Sequence, residues 1–183
     1  MGLDMYLSKK TYVKQWEHQT PENRYSVSVK KGGKTCKEIK SRRISHIEEE
    51  IAYWRKANQI HGWFVNNTAE ITPDIRYNVT REDLENLLDT CKKVLKLLNK
   101  SKKSTKQVKS GWDSDGVIYD DVEVYDNVDE IMELLPPTQG FFFGSDDIDE
   151  WYKENIISTI KVLEDELKDE NNLYSDYEYY ASW

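Results

Sequence analysis

Two segments carry side chains whose types and spacing could do chemistry. The first is Tyr53-Trp-Arg-Lys-Ala-Asn-Gln-Ile-His-Gly-Trp-Phe64, which sets aromatic, cationic and amide groups close together. Trp54, Asn58 and His61 follow one another at spacings of four and three, so a helix would put them on one face. Arg55 lies beside that face and could make a bidentate contact with a carboxylate or phosphate. Those groups suit a polar pocket with stacking aromatics. They equally suit a core helix whose Asn and His bond the backbone of neighbouring strands. The second segment is Gln139-Gly-Phe-Phe-Phe-Gly-Ser-Asp146. A helix start binds anions through its free amides, but Asp146, Asp147, Asp149 and Glu150 would repel a phosphate there. Gln139, Phe141 and Phe143 therefore read as a buried strand or one wall of a pocket. The acidic trio lacks the glycine and spacing of a calcium loop, so no metal is expected.

Other chemistry finds little support. His18, His46 and His61 show no zinc spacing with Cys36 and Cys91. No Walker loop, Gly-x-Gly-x-x-Gly, His-Glu-x-x-His or Gly-x-Ser-x-Gly occurs, and no cofactor is implied. His61 beside Asp4 or Asp149 would make a base with an orienting partner, the basis of a small-hydrolase reading. The two cysteines, without other signs of secretion, read as reduced thiols of a cytoplasmic protein. There is neither a signal-peptide pattern nor a run of 18 apolar residues, so no membrane span is expected.

These groups need elements to hold them. Leu3, Met5 and Leu7 alternate with Asp4, Tyr6 and Ser8, which predicts a half-buried strand. Tyr25–Val29 alternates too, and Gly32-Gly33 would turn it into a return strand over Lys34–Ile47. The spacing of Ile47, Ile51, Trp54, Asn58, His61 and Val65 predicts a helix over Ile47–Val65. Arg76–Val79 reads as a short strand. Thr80 and Asp83 form a capping box for a helix with the stripe Leu84, Leu87, Leu88, Cys91, Val94, Leu95 and Leu98. Lys100–Ser110 holds five lysines and no acid, and reads as a solvated or mobile loop. A hairpin turning at Asp120-Asp121 would follow. Asp126 would cap a short helix ending at Pro136-Pro137, and a last helix would span Asp146–Lys168. The predicted fold class is α+β: a small antiparallel sheet packed against three or four helices. It reads as one domain over residues 1–183, with a variable insertion near 100–125 and an acidic aromatic tail from about 171.

The 183 residues carry a net charge of -8, unevenly placed. Residues 1–110 sum to +10 and residues 111–183 to −18. The basic half, with Lys30, Lys31, Lys34, Lys37, Lys40, Arg42 and Arg43 around its hairpin, raises nucleic acid as a partner. The global charge argues against it. The acidic half suits docking onto a basic host protein. Mean hydropathy is -0.82, yet 6 Trp, 12 Tyr and 4 Phe argue against a disordered chain. Trp and Tyr abundance suits an interface, and a homodimer is one form it could take.

Four stretches together carry a resemblance. They are Met1-Gly-Leu-Asp-Met-Tyr-Leu7, Ile51-Ala-Tyr-Trp-Arg-Lys-Ala-Asn-Gln-Ile-His-Gly-Trp-Phe64, the Leu84–Leu95 helix, and Leu134-Leu-Pro-Pro-Thr-Gln-Gly-Phe-Phe-Phe-Gly-Ser-Asp146 with Asp149-Glu-Trp-Tyr152. With these the chain resembles a widespread family of uncharacterised phage and prophage proteins. The resemblance implies an accessory protein acting in the bacterial cytoplasm, with counter-defence as its expected role. Two expectations follow. One is sequestration of a small anionic, nucleotide-like signal by Trp54, Arg55, Asn58, His61, Gln139, Phe141 and Phe143. The alternative is inhibition of a host defence or nucleic-acid-handling protein through an acidic, aromatic face.

Overall fold

A computed structural model describes residues 2–68, 75–114, 116–168 and 175–183. The alternation at the N-terminus builds β1 (Asp4–Tyr12), with Leu3, Met5 and Leu7 fully buried. A loop region follows, with short 3-10 turns at Pro21–Asn23 and Ser41–Arg43 and a small hairpin, β2 (Lys30–Lys31) and β3 (Lys34–Thr35). Its turn uses Gly32 and Gly33 at φ of 57° and 79°, a left-handed pair that glycine adopts without a Cβ clash. The longer strands expected over Tyr25–Val29 and Lys34–Ile47 do not form; those stretches are mostly exposed loop.

The expected helix over Ile47–Val65 is corrected by the structure. It is a strand, β4 (His46–Arg55), followed by a shorter helix, α1 (Asn58–Asn67). Lys56, at φ 57°, turns the chain between them, and its amide donates to the Leu3 carbonyl at 2.8 Å. The cause of the misreading is a bulge. β1 pairs Leu7 with Ala52 but Ser8 with Glu50, leaving Ile51 as an extra residue. That insertion puts Ile47 and Trp54 seven residues apart on one face, a spacing that imitates two helical turns.

The next elements follow the sequence closely. β5 (Arg76–Val79) precedes α2 (Arg81–Leu98), and the Thr80–Asp83 capping box is complete, with Asp83 N donating to Thr80 Oγ1 at 3.1 Å and Thr80 N to Asp83 Oδ2 at 2.8 Å. Leu84, Leu87, Leu88, Cys91, Val94 and Leu98 are buried and Leu95 half-buried. Lys100–Ser110 is not a loop. It lies mostly in β6 (Lys103–Asp113), which pairs with β7 (Gly116–Tyr125) in a long hairpin of its own. The chain does not turn at Asp120-Asp121, which sit within β7. A short α3 (Asp129–Leu134) starts after Val128 instead of at Asp126. α4 (Glu150–Glu166) begins later than expected because Asp149 caps it, accepting from Tyr152 N at 2.8 Å.

The acidic aromatic tail is corrected too. Its residues 171–174 lie outside the described residues, but Ser175–Ser182 forms β8, a central strand. The sheet order is β4-β1-β8-β5, antiparallel throughout. Tyr177, Tyr179 and Ala181 are buried on the face that the helices cover, where α2 packs against α4. The fold is therefore α+β, as the patterning predicts. Its topology matters for function: helices cover one side of this sheet, and the other side lies open. Among the described residues no helix is long and apolar enough to cross a membrane.

Candidate functional site

The residues singled out from sequence do not share one site. Trp54, on β4, points into the core and donates from Nε1 to Thr159 Oγ1 at 2.9 Å. Asn58 opens α1 and ties down the loop that contains Phe143. Its Nδ2 donates to the carbonyls of Ser145 at 2.7 Å and Phe143 at 3.3 Å, and its Oδ1 accepts from Thr138 N at 3.2 Å. His61 faces inward and is 3% exposed. Its Nδ1 shares a hydrogen bond with Tyr179 Oη at 2.8 Å, and its ring meets Phe143 and Trp183 edge-on at 5.1 and 5.0 Å. Burial lowers its pKa to about 4, so the ring is neutral at pH 7. Gly62 permits the close approach of α1 to the loop, since a Cβ there would stand 2.0 Å from Thr138 Oγ1.

Asn58, His61 and Phe143 are thus brought together at the sheet–helix junction. Three expected members are elsewhere. Arg55 points to the open side, 4.0 Å from Asp4. Gln139 bonds Asp146 at 2.9 Å on the surface, and Phe141 is 96% exposed. The Gln139–Phe143 stretch is turn and loop, not a buried strand. The orienting partner of His61 is Tyr179, in place of the expected Asp4 or Asp149. The Asn58 amide and His61 Nδ1 are spent on protein groups, as buried polar groups tend to be. This is a polar seam that fixes α1 to the sheet.

The open side presents different chemistry. Because directly opposed residues in antiparallel strands share a face, Tyr53, Tyr6, Tyr180 and Arg76 form one row across all four strands. Tyr6 lies 5.1 Å from Tyr53 and 5.8 Å from Tyr180, ring centre to ring centre. Tyr53 Oη donates to Asp4 Oδ1 at 2.5 Å, and this bond to a carboxylate raises the phenol's pKa. The bulge at Ile51 turns Glu50 and Glu48 to the same side as Tyr53. Arg76 leans over the sheet, its Cζ 6.0 Å from the centre of the Tyr180 ring. From there Nη1 reaches Glu48, Glu178 at 3.2 Å and Ser8 at 3.4 Å. Lys10 Nζ holds both oxygens of Glu178, at 2.6 and 2.7 Å. The hydrogen bond from Arg76 holds the Glu48 carboxyl below its usual range. A cleft of about 260 Å³ lies among Tyr6, Ser8, Glu48, Glu50, Arg76 and Tyr180.

Sequence reading missed this surface. The trace was the polar half of the strand alternation, Tyr6 in β1 and Glu178 and Tyr180 in β8. A second cleft, about 300 Å³, lies in the loop region beside Gln15, Tyr25, Ser26, Ser41 and Arg42. Among the described residues no group of three or more His, Cys, Asp or Glu side chains could hold a metal ion. The cysteines are free thiols; Cys91 is buried, which pushes its pKa up to about 12. The chain matches no protein-family model, no curated protein and no solved structure.

Proposed function

We propose that this chain is a binding protein that occludes a basic surface on another protein with the open face of its sheet. The observation that carries the reading is the composition of that face. It presents Asp4, Glu48, Glu50, Asp176 and Glu178 against Lys10, Arg55 and Arg76, around a row of three tyrosines. Aromatic anchors inside a charged rim are what interfaces use, and an acidic surplus steers a basic partner. In the setting that the phage-like motifs imply, the partner is a host defence or nucleic-acid-handling protein, and the role is counter-defence.

Two other readings have less behind them. Capture of a small anionic signal would need Trp54, Asn58 and His61 facing a void, and Trp54 Nε1, the Asn58 amide and His61 Nδ1 already bond protein groups. A hydrolase would need a reachable base, and His61 is buried against Tyr179 and Phe143. The test is site-specific photo-crosslinking in bacterial cells, with p-benzoylphenylalanine at Tyr53, which is 47% exposed. A discrete adduct is expected whose cross-linked peptide is rich in Arg or Lys. It should weaken with rising salt and vanish with Glu50→Lys. Equal labelling from a control position such as Ile157, on the exposed side of α4, would defeat the proposal.

A further inference from the structure

We infer that the cleft on the open face receives one arginine side chain of the partner, and that Arg76 keeps its place in the free protein. The inference rests on the open face being the docking surface. Three observations support it.

First, the cleft is already a guanidinium site in use. Arg76 is rooted on the edge strand β5, yet it reaches over β8 and β1 to meet Glu48 of β4. Tyr180 lies beside its guanidinium at cation–π distance. A carboxylate, an aromatic ring and a hydroxyl are the groups that recognise arginine.

Second, Arg76 fits that site poorly. All three of its hydrogen bonds leave from one nitrogen, Nη1. Among the described residues, Nε and Nη2 make none, so the bidentate fork that makes arginine–carboxylate pairs strong is unused. Its side chain is 48% exposed, and exposed ion pairs hold weakly. An arginine arriving from solvent can present the whole fork to Glu48. It would also meet Glu50, which carries no hydrogen bond or ion pair among the described residues.

Third, size and charge select the occupant. At about 260 Å³ the cleft falls below the usual range for drug-sized ligands and suits a single side chain. Its lining charges are one arginine and two glutamates, so an anion is disfavoured and a cation preferred.

Titration of the full chain with a blocked Gly-Arg-Gly tripeptide, followed by NMR of labelled tyrosines, tests this. Arg76→Ala should bind the peptide at least tenfold more tightly than the wild type, with shifts centred on Tyr6 and Tyr180. The citrulline peptide, equal in shape but uncharged, should bind at least tenfold more weakly. Glu48→Gln in the Arg76→Ala background should remove the gain. Arg76→Gln keeps much of the stem and should repeat the gain if Arg76→Ala folds badly. Equal or weaker peptide binding in both variants, or shifts away from Tyr6 and Tyr180, overturns the inference. A lysine peptide that binds as tightly as the arginine peptide also overturns it, since the cleft would then read charge alone. If Tyr53 still cross-links its partner while the Arg76 variants gain nothing, only the arginine site falls. If cross-linking fails as well, the docking face falls with it.

Discussion

Tyr179 and Tyr180 are neighbours in the chain and belong to different environments. Tyr179 is fully buried, stacked on Phe64 with ring centres 4.0 Å apart and bonded to His61. Tyr180 is half-buried on the open side, between Tyr6 and Arg76. The same contrast runs through β1 and β4: Met5 against Tyr6, Trp54 against Tyr53. Inside, polar groups are few, and Asn58, His61 and Trp54 each bond a specific protein partner. Outside, tyrosines and charges lie on a solvent-facing surface. A sheet with two such sides teaches that chemically suggestive residues can serve as mortar, and that ordinary tyrosines on an uncovered face can be the working surface.

The contrast can be broken most directly by truncating each tyrosine. Tyr179→Ala should destabilise the fold by about 3–5 kcal/mol, as large aromatic deletions in cores do. Tyr180→Ala should cost under about 1 kcal/mol. Urea denaturation of the pair decides it, and similar midpoints would erase the distinction between the two sides.

Acid should act on the inner side. The unfolded chain titrates His61 near 6.5 and the folded chain at about 4. Between those values the unfolded state binds the extra proton. The stabilising contribution is therefore whole above pH 6.5 and is lost as pH falls towards 4, by about 3 kcal/mol in full. His61→Gln should flatten that slope between pH 7 and 4, whatever its effect at neutral pH. Stability measured across that range in both proteins checks it.

Gly62 sharpens the same side by a steric route. Gly62→Ala should cost about 2 kcal/mol, because the new methyl group meets Thr138 Oγ1. Thr138→Ala added to it should return part of the loss, readable as a partial recovery of the thermal midpoint. On the outer side the effect is smaller still. Asp4→Asn should lower the pKa of the Tyr53 phenol by weakening its bond to a carboxylate, with stability almost unchanged; ultraviolet titration reports it.

Much of the fold was legible wherever one period ran unbroken. The Leu84–Leu98 stripe with its capping box and the β1 alternation each specify an element and its inward side. Legibility failed where a single residue shifts the period. Ile51 as a bulge makes β4 look helical, and that error carried Trp54 onto the same helix face as Asn58 and His61. β8 was obscured differently, because Tyr177, Glu178, Tyr179 and Tyr180 alternate in burial while three of the four are aromatic. The polar seam was half legible: Asn58, His61 and Phe143 do meet, but nothing in their spacing says that Tyr179 closes over them. The open face was least legible, since it needs strand order, and the contact between Arg76 and Glu48 spans all four strands.

The place of β8 in the sheet also governs how the chain is made. β1 pairs with β4 on one edge early in synthesis, but its other edge waits for Ser175–Ser182. About 120 residues separate the end of β4 from the start of β8. At ribosomal rates of about 5–20 residues per second, that leaves β1 half-paired for roughly 6–24 s. Throughout that interval Leu3, Met5 and Leu7 lack the strand that completes their cover. The nascent β1–β4 pair is the stage at which this protein is open to chaperone capture or to mispairing with another copy.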